Sequence, residues 1–358
     1  MLNAVRKTWS HPRRRALWAV GGVVCAALFV VLAMAPRVER MALRQAGIDD
    51  ATTLQLATQV LRGALERTQA LPALLAERPI LRQVLADPEN QGLVPFTNEM
   101  LRQTALSLDV SDIYVMDVTG RTIATSNYRA DHSFLGRSFE FRPYFTDALM
   151  AGLGRFHALG TTSGQRGYFF AAPILDGTEI IGVVAVKLTL DAFEETWAEG
   201  ASHILVTDVN NVIFLSDRAD WHFHTLGPLP IDALDQIAET RQYPPARLQP
   251  LPYTEEPLDE GMTIFTAESG DFIAQTDLIA APGWRVKLLT PTAPAIRAAW
   301  ATITQIALVI VMLGLVAAYL VGRRARMLDR IEAERSQAAL LEARVAERTS
   351  SEEHTTAL

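Results

Sequence analysis

The chain has 358 residues, 49% of them hydrophobic and 20% charged, with a formal net charge of −7. That negative balance excludes a nucleic-acid partner, which needs a basic face to neutralise phosphates. The single cysteine, Cys25, excludes an internal disulfide framework and a thiolate zinc site. The length suits two or three domains, and the apolar excess suggests that part of the chain leaves water.

Residues 1–15 hold Arg6, Lys7, Arg13, Arg14 and Arg15 without an acid, and read as a cytoplasmic N-terminus. Ala16 to Ala35 is uncharged. About 20 residues at about 1.5 Å each cross a hydrocarbon layer of ~30 Å, so 16–35 is expected to be a first transmembrane helix. A cleaved secretory signal is the competing reading, with Ala33-Met34-Ala35 as the processing site. The length of the run, and Pro36 on the scissile bond, favour an uncleaved anchor.

Residues 36–108 form a long helical region, with apolar residues at three-and-four spacing (Leu54, Val60, Leu61, Leu65) and an expected break or kink at Pro72. Strand patterns then begin. Tyr114 to Ser126 reads as a hairpin turning at Asp117-Val118-Thr119-Gly120, where glycine supplies a positive φ. The pattern returns at Leu205 to Ser216, with Asn211 in the glycine's place. Each copy ends in a Gly-led strand bearing a lysine, Gly182 to Lys187 and Gly283 to Lys287. Two modules are therefore expected, over 109–200 and 201–297, joined by a helix near Leu190 to Glu199. The Pro-rich stretch Tyr243 to Pro252 reads as irregular surface.

Residues 298–322 are again uncharged and long enough to span, and Arg323, Arg324, Arg326 and Arg330 follow them. By the positive-inside rule both termini are cytoplasmic and the modules face outward. Over 323–349, Ile331, Ala338 and Val345 recur at heptad spacing with Met327 and Leu341 complementary, the start of a signalling coiled coil interrupted by Glu334. The last segment, 350–358, changes character abruptly and resembles a translated vector junction, so a truncated gene model is expected.

Catalytic and metal-binding motifs are not found. H-E-x-x-H, G-x-S-x-G, Walker A and Rossmann fingerprints do not occur. His222 and His224 lack a third ligand, and Asp208-Val209-Asn210-Asn211 suits a turn better than a calcium loop. No metal site is expected, and a tethered extracytoplasmic enzyme is disfavoured.

The informative block is Ser138 to Phe145 followed by Gly160 to Phe169. Thr161, Thr162 and Ser163 between glycines offer donors that converge on an anion. Arg142 sits among Phe141, Pro143, Tyr144 and Phe145, where an unpaired guanidinium is costly to bury. By strand alternation Lys187 shares a face with Val183 and Ala185. Two readings stay open from these residues alone. One is an anion pocket; in the other, Arg142 pairs with Glu140 or Asp147 and Lys187 lies on a solvated face.

At these residues the sequence resembles the extracytoplasmic sensor of C4-dicarboxylate sensor histidine kinases of the DctB type. The resemblance rests on Tyr114-Val115-Met116-Asp117, Ala124-Thr125-Ser126-Asn127, Phe141-Arg142-Pro143-Tyr144-Phe145, Gly160-Thr161-Thr162-Ser163 and Gly167-Tyr168-Phe169. It implies an α+β fold, a tandem PAS-like (double Cache, PDC-type) sensor with a long N-terminal helix, between two transmembrane helices and a coiled-coil start. It also implies that Arg142 and Lys187 grip the two carboxylates of succinate, malate or fumarate, with Ser138, Thr161, Thr162, Ser163 and Tyr168 donating hydrogen bonds. The implied partners are a second copy of the chain, a response regulator and a dicarboxylate transporter. No cofactor is expected in this chain; ATP and Mg2+ belong to a kinase core. The sequence departs from the family there: the only histidine after the second span is His354, with no acidic residue following it. A chemoreceptor or diguanylate cyclase output is the alternative.

Overall fold

The computed structural model describes residues 12–356; residues 1–11 and 357–358, part of the segments expected to be a cytoplasmic N-terminus and a divergent tail, lie outside the described residues. The first helix, α1 (Pro12–Gln69), runs through Pro36 instead of ending there. Proline removes one backbone donor, and the Arg37 guanidinium, donating to the Ala33 carbonyl at 3.2 Å, satisfies an acceptor beside the gap. The last helix, α8 (Thr292–Thr356), covers the second apolar run and the heptad region. Both helices are long and apolar enough to cross a membrane. Within the apolar unit they approach closely, so that a side chain at Gly314 would run into Val23.

Three shorter helices follow α1: α2 (Leu71–Ala76), α3 (Pro79–Ala86) and α4 (Leu93–Leu108). Pro72 and Pro79 stand in the first turns of α2 and α3. The helical region therefore breaks at Pro72, one of the two outcomes expected there, and Pro72 starts the next helix, because the missing N–H costs nothing in a first turn.

Two mixed α/β modules share one plan. The first sheet comprises β1 (Asp112–Asp117), β2 (Thr122–Thr125), β3 (Gly154–Leu159), β4 (Arg166–Asp176) and β5 (Glu179–Thr189), in the order β2-β1-β5-β4-β3. The second comprises β6 (His203–Thr207), β7 (Ile213–Ser216), β8 (Tyr253–Asp259), β9 (Met262–Ala267), β10 (Gly270–Ile279) and β11 (Trp284–Pro291), in the order β7-β6-β11-β10-β9-β8. The second repeats the first and adds an edge strand.

The repeated hairpin has one mechanism in both copies. Asp117 Oδ1 accepts from the Thr119 and Arg121 amides at 2.8 and 3.1 Å, and Asp208 Oδ1 from those of Asn210 and Val212 at 2.9 Å each. Gly120 at φ +80° and Asn211 at φ +59° complete the left-handed turns.

In the first module, one face of the sheet packs Val115, Val184 and Val186 against Leu75, Leu81, Leu101 and Ala105 from α2, α3 and α4. The other face packs Tyr114, Phe169, Val183 and Ala185 against Tyr144, Phe145 and Ala148 of α5 (Pro143–Ala151). A linking helix, α6 (Asp191–Trp197), leads into the second module, which carries α7 (Ile231–Glu239). The Pro-rich stretch after α7 is not all surface. Gln242 and Tyr243 are buried, with Tyr243 in the core that also holds Tyr168, Phe214 and Trp284.

Candidate functional site

Arg142 caps α5 in an extended conformation, which the following proline enforces. Its side chain turns inward and is 2% exposed. Three neutral carbonyls hold the guanidinium: Nη1 donates to Thr240 O at 3.0 Å and Arg241 O at 3.1 Å, and Nη2 to Leu159 O at 3.0 Å. The rings of Phe141 and Phe156 face it at 5.1 and 5.9 Å. Among the described residues no carboxylate pairs with it, so the expected alternative of Glu140 or Asp147 is not what is seen. Burial pulls its pKa below the usual arginine value, yet arginine stays charged at any physiological pH.

Lys187 lies on β5 between β1 and β4, opposite Asp112 on one side and Phe169 on the other. It is fully buried on the Val183–Ala185 face, as strand alternation requires. Its Nζ donates to Ser163 Oγ at 3.1 Å and stands 3.6 Å from Asp112 Oδ2. Burial lowers its pKa, and Asp112 partly offsets the effect. The stem needs the space beside Gly167, where a Cβ would come within 2.9 Å of Lys187 Cε.

Arg142, Thr161, Thr162 and Ser163 border one cavity, together with Tyr114, Tyr144 and Phe169. Lys187 is one hydrogen bond behind it, through Ser163. The cavity measures about 10 Å³, room for a single water. Tyr114 Oη donates to Tyr144 Oη at 2.7 Å. One of the two phenol protons lies between the oxygens, which leaves the other as a donor with no partner among the described residues. Burial raises both phenol pKa values, so both rings stay protonated. Tyr144 stacks on Phe169 at 5.1 Å.

Two expected ligands are placed elsewhere. Tyr168 is next to Phe169 on β4, so it faces the opposite side of the sheet and packs with Phe170 and Trp284. Ser138 is exposed and bridges to Arg121, while its neighbour Phe139 turns into the core. Tyr114, Tyr144, Phe169 and Asp112 join the site without having been singled out. Tyr144 lies inside the Arg-Pro-Tyr-Phe block and Tyr114 begins the first hairpin, so both were within reach of the sequence. Asp112 became visible only through strand register.

The corresponding face of the second module carries its own counter-ion. Lys287 Nζ donates to both carboxylate oxygens of Glu255 at 2.9 Å and faces the Phe265 ring at 5.4 Å. Thr263 Oγ1 adds a bond to Glu255 Oε1 at 2.6 Å. Burial pushes the Glu255 carboxyl pKa up, but the bonds from Thr263 and Lys287 outweigh it and hold it below the ordinary value. Hairpin register places Lys287 two residues from the position equivalent to Lys187, on the same face. Glu255→Gln leaves a mostly buried ammonium uncompensated. It is expected to cost about 1–3 kcal/mol in thermal melts, with the first module's ligand affinity unchanged. Of the histidines His222 and His224, His222 is engaged within the fold: its Nε2 bonds Glu194 Oε1 at 3.0 Å and the Ser216 carbonyl at 2.9 Å.

Comparisons with known proteins agree on one group. The C4-dicarboxylate transport sensor protein DctB of Pseudomonas aeruginosa PAO1 is 33% identical over 311 residues, covering 87% of this chain and 48% of that protein. The protein of the same name from Rhizobium meliloti 1021 is 32% identical over 302 residues, covering 82% and 48%. The crystal structure of the V. cholerae histidine kinase DctB sensor domain matches with a TM-score of 0.63 and 28% identity, covering 69% of this chain and 98% of that domain. No family model matches. The chain spans about half the length of the curated relatives it matches.

Proposed function

Because this chain is a DctB-type sensor, we propose that its first module binds a C4-dicarboxylate outside the cytoplasmic membrane, as the sensory part of a two-component histidine kinase. The observation that carries this reading is a buried guanidinium with only neutral partners. Arg142 borders the cavity whose Ser163 hydroxyl holds the Lys187 ammonium.

A diacid presents two charges a few ångströms apart, and two cations reached through one turn match it. Charge-assisted bonds are roughly twice as strong as neutral ones. A carboxylate therefore outcompetes the carbonyls of Leu159, Thr240 and Arg241 for the guanidinium. The second carboxylate takes Lys187 from Ser163, while Thr161, Thr162 and the spare phenol proton of the Tyr114–Tyr144 pair supply neutral donors. Two of the displaced carbonyls, those of Thr240 and Arg241, belong to the second module, so occupancy alters how the modules are held together. Ligand shifts that balance only by its differential affinity for the two arrangements.

In this reading both termini are cytoplasmic and two copies pair through α1 and the heptad seam of α8, where Met327, Ile331 and Leu341 are exposed. The response regulator, ATP and Mg2+ act on the full-length protein's kinase, and a dicarboxylate transporter is a further partner. Calorimetry on the full chain in nanodiscs tests the ligand class. Succinate is expected to bind at least about a hundredfold more tightly than butyrate, which leaves one buried cation unpaired. Equal affinities would contradict two-ended recognition.

A further inference from the structure

The opposite side of the first sheet opens on a groove of about 300 Å³. Arg155, Phe156 and His157 of β3 and Tyr168 of β4 form one wall; Ala280, Ala281 and Pro282, the turn between β10 and β11, form the other. Both modules therefore line it. Its size is at the lower end of small-molecule sites, and two of its polar groups, on Tyr168 and Arg155, are unspent. Tyr168 is 2% exposed, and its hydroxyl has no hydrogen-bond partner among the described residues. Nor is that hydroxyl among the polar atoms sealed from solvent, so its residual exposure is at the hydroxyl, on the groove side. Arg155 and Tyr168 line the same groove, and burial raises the phenol pKa to about 12 against the opposing field of Arg155. Arg155 is exposed and pairs with no carboxylate among the described residues. His157 is held from behind: Gln242 Nε2 donates to its carbonyl at 3.0 Å and meets its ring Nε2 at 3.2 Å. Asp208 Oδ2 stands 3.7 Å from the same ring nitrogen.

We infer that this inter-module groove is a second ligand site, for a small monocarboxylate with a compact apolar body. A single guanidinium beside a phenol donor and an imidazole suits one carboxylate, whereas a diacid would bring a second charge with no cation to meet it. Ala280, Ala281 and Pro282 supply the apolar wall. A ligand touching both walls favours the docked arrangement of the modules.

The test uses the full chain in nanodiscs with benzoate as probe and benzamide as its uncharged counterpart, read by calorimetry. Benzoate is expected to bind and benzamide to bind at least about tenfold more weakly. Arg155→Gln, at an exposed position, and Tyr168→Phe are each expected to weaken benzoate about tenfold or more, and Ser163→Ala to leave it unchanged. The inference is overturned if benzoate does not bind at about millimolar concentration. It also fails if both groove variants bind like wild type, or if Ser163→Ala removes binding and so places benzoate in the other cavity. None of these outcomes depends on whether succinate binds.

Discussion

Arg142→Ala is expected to reduce succinate affinity by about 2–5 kcal/mol, or roughly 30-fold to several thousandfold in Kd. It should do so with a second signature that simple loss of a ligand contact would not give. The same guanidinium holds the carbonyls of Thr240 and Arg241, so its removal also loosens the second module from the first. Hydrogen exchange at the Leu159 amide, which donates to the Gln242 carbonyl at 3.0 Å, reports that contact. In the wild type, exchange there is expected to quicken when succinate is added. In Arg142→Ala it is expected to be fast from the start and insensitive to ligand. Arg142→Lys should not rescue either property, because a point-charge ammonium lacks the planar fork that reaches three acceptors. Wild-type succinate affinity in Arg142→Ala would remove the residue from the site, and exchange indifferent to both ligand and mutation would remove it from the module contact.

Lys187→Met is expected to abolish measurable succinate binding and also to destabilise the fold. The ammonium stands 3.6 Å from the carboxylate of Asp112, itself 7% exposed. Removing one member of such a pair leaves an uncompensated buried charge, which costs about 3–5 kcal/mol. The double variant Asp112→Asn, Lys187→Met separates the two effects. Replacing both charges is often close to neutral for stability, so melting should return to within about 1 kcal/mol of wild type while succinate remains unbound. If the double variant binds succinate normally, the lysine serves the fold alone.

Much of this architecture was legible because its causes are local. Asp117 and Asp208 announce their hairpins, since an Asx side chain caps its own turn and Gly120 or Asn211 relieves the positive φ. The face of Lys187 followed from the two-residue period of a strand. The same period, applied across strands, would have corrected Tyr168: Phe169 is the register partner of Lys187, so Tyr168 points the other way. Taking Tyr168 and Ser138 from the family resemblance left out backbone direction. The partners of Arg142 were beyond sequence reasoning altogether, because two of them are main-chain atoms 98 and 99 residues away. Carbonyls carry no side-chain signature. For a similar reason the Pro-rich stretch gave no sign that Tyr243 is buried: Tyr243 Oη donates to Asp208 Oδ2 at 2.9 Å, a pairing that exists only once the second module has folded.

The Glu255–Lys287 pair makes the two halves of the sensor unequal. Under the proposed binding, Arg142 of the first module has only neutral partners until a ligand arrives, whereas the second module pairs its lysine with a carboxylate from its own edge strand and is, in effect, permanently occupied. A half that is always filled has no empty state to relax into. If a ligand takes Arg142 from Thr240 and Arg241, such a half is expected to act as a stiff lever that hands the displacement onward instead of absorbing it.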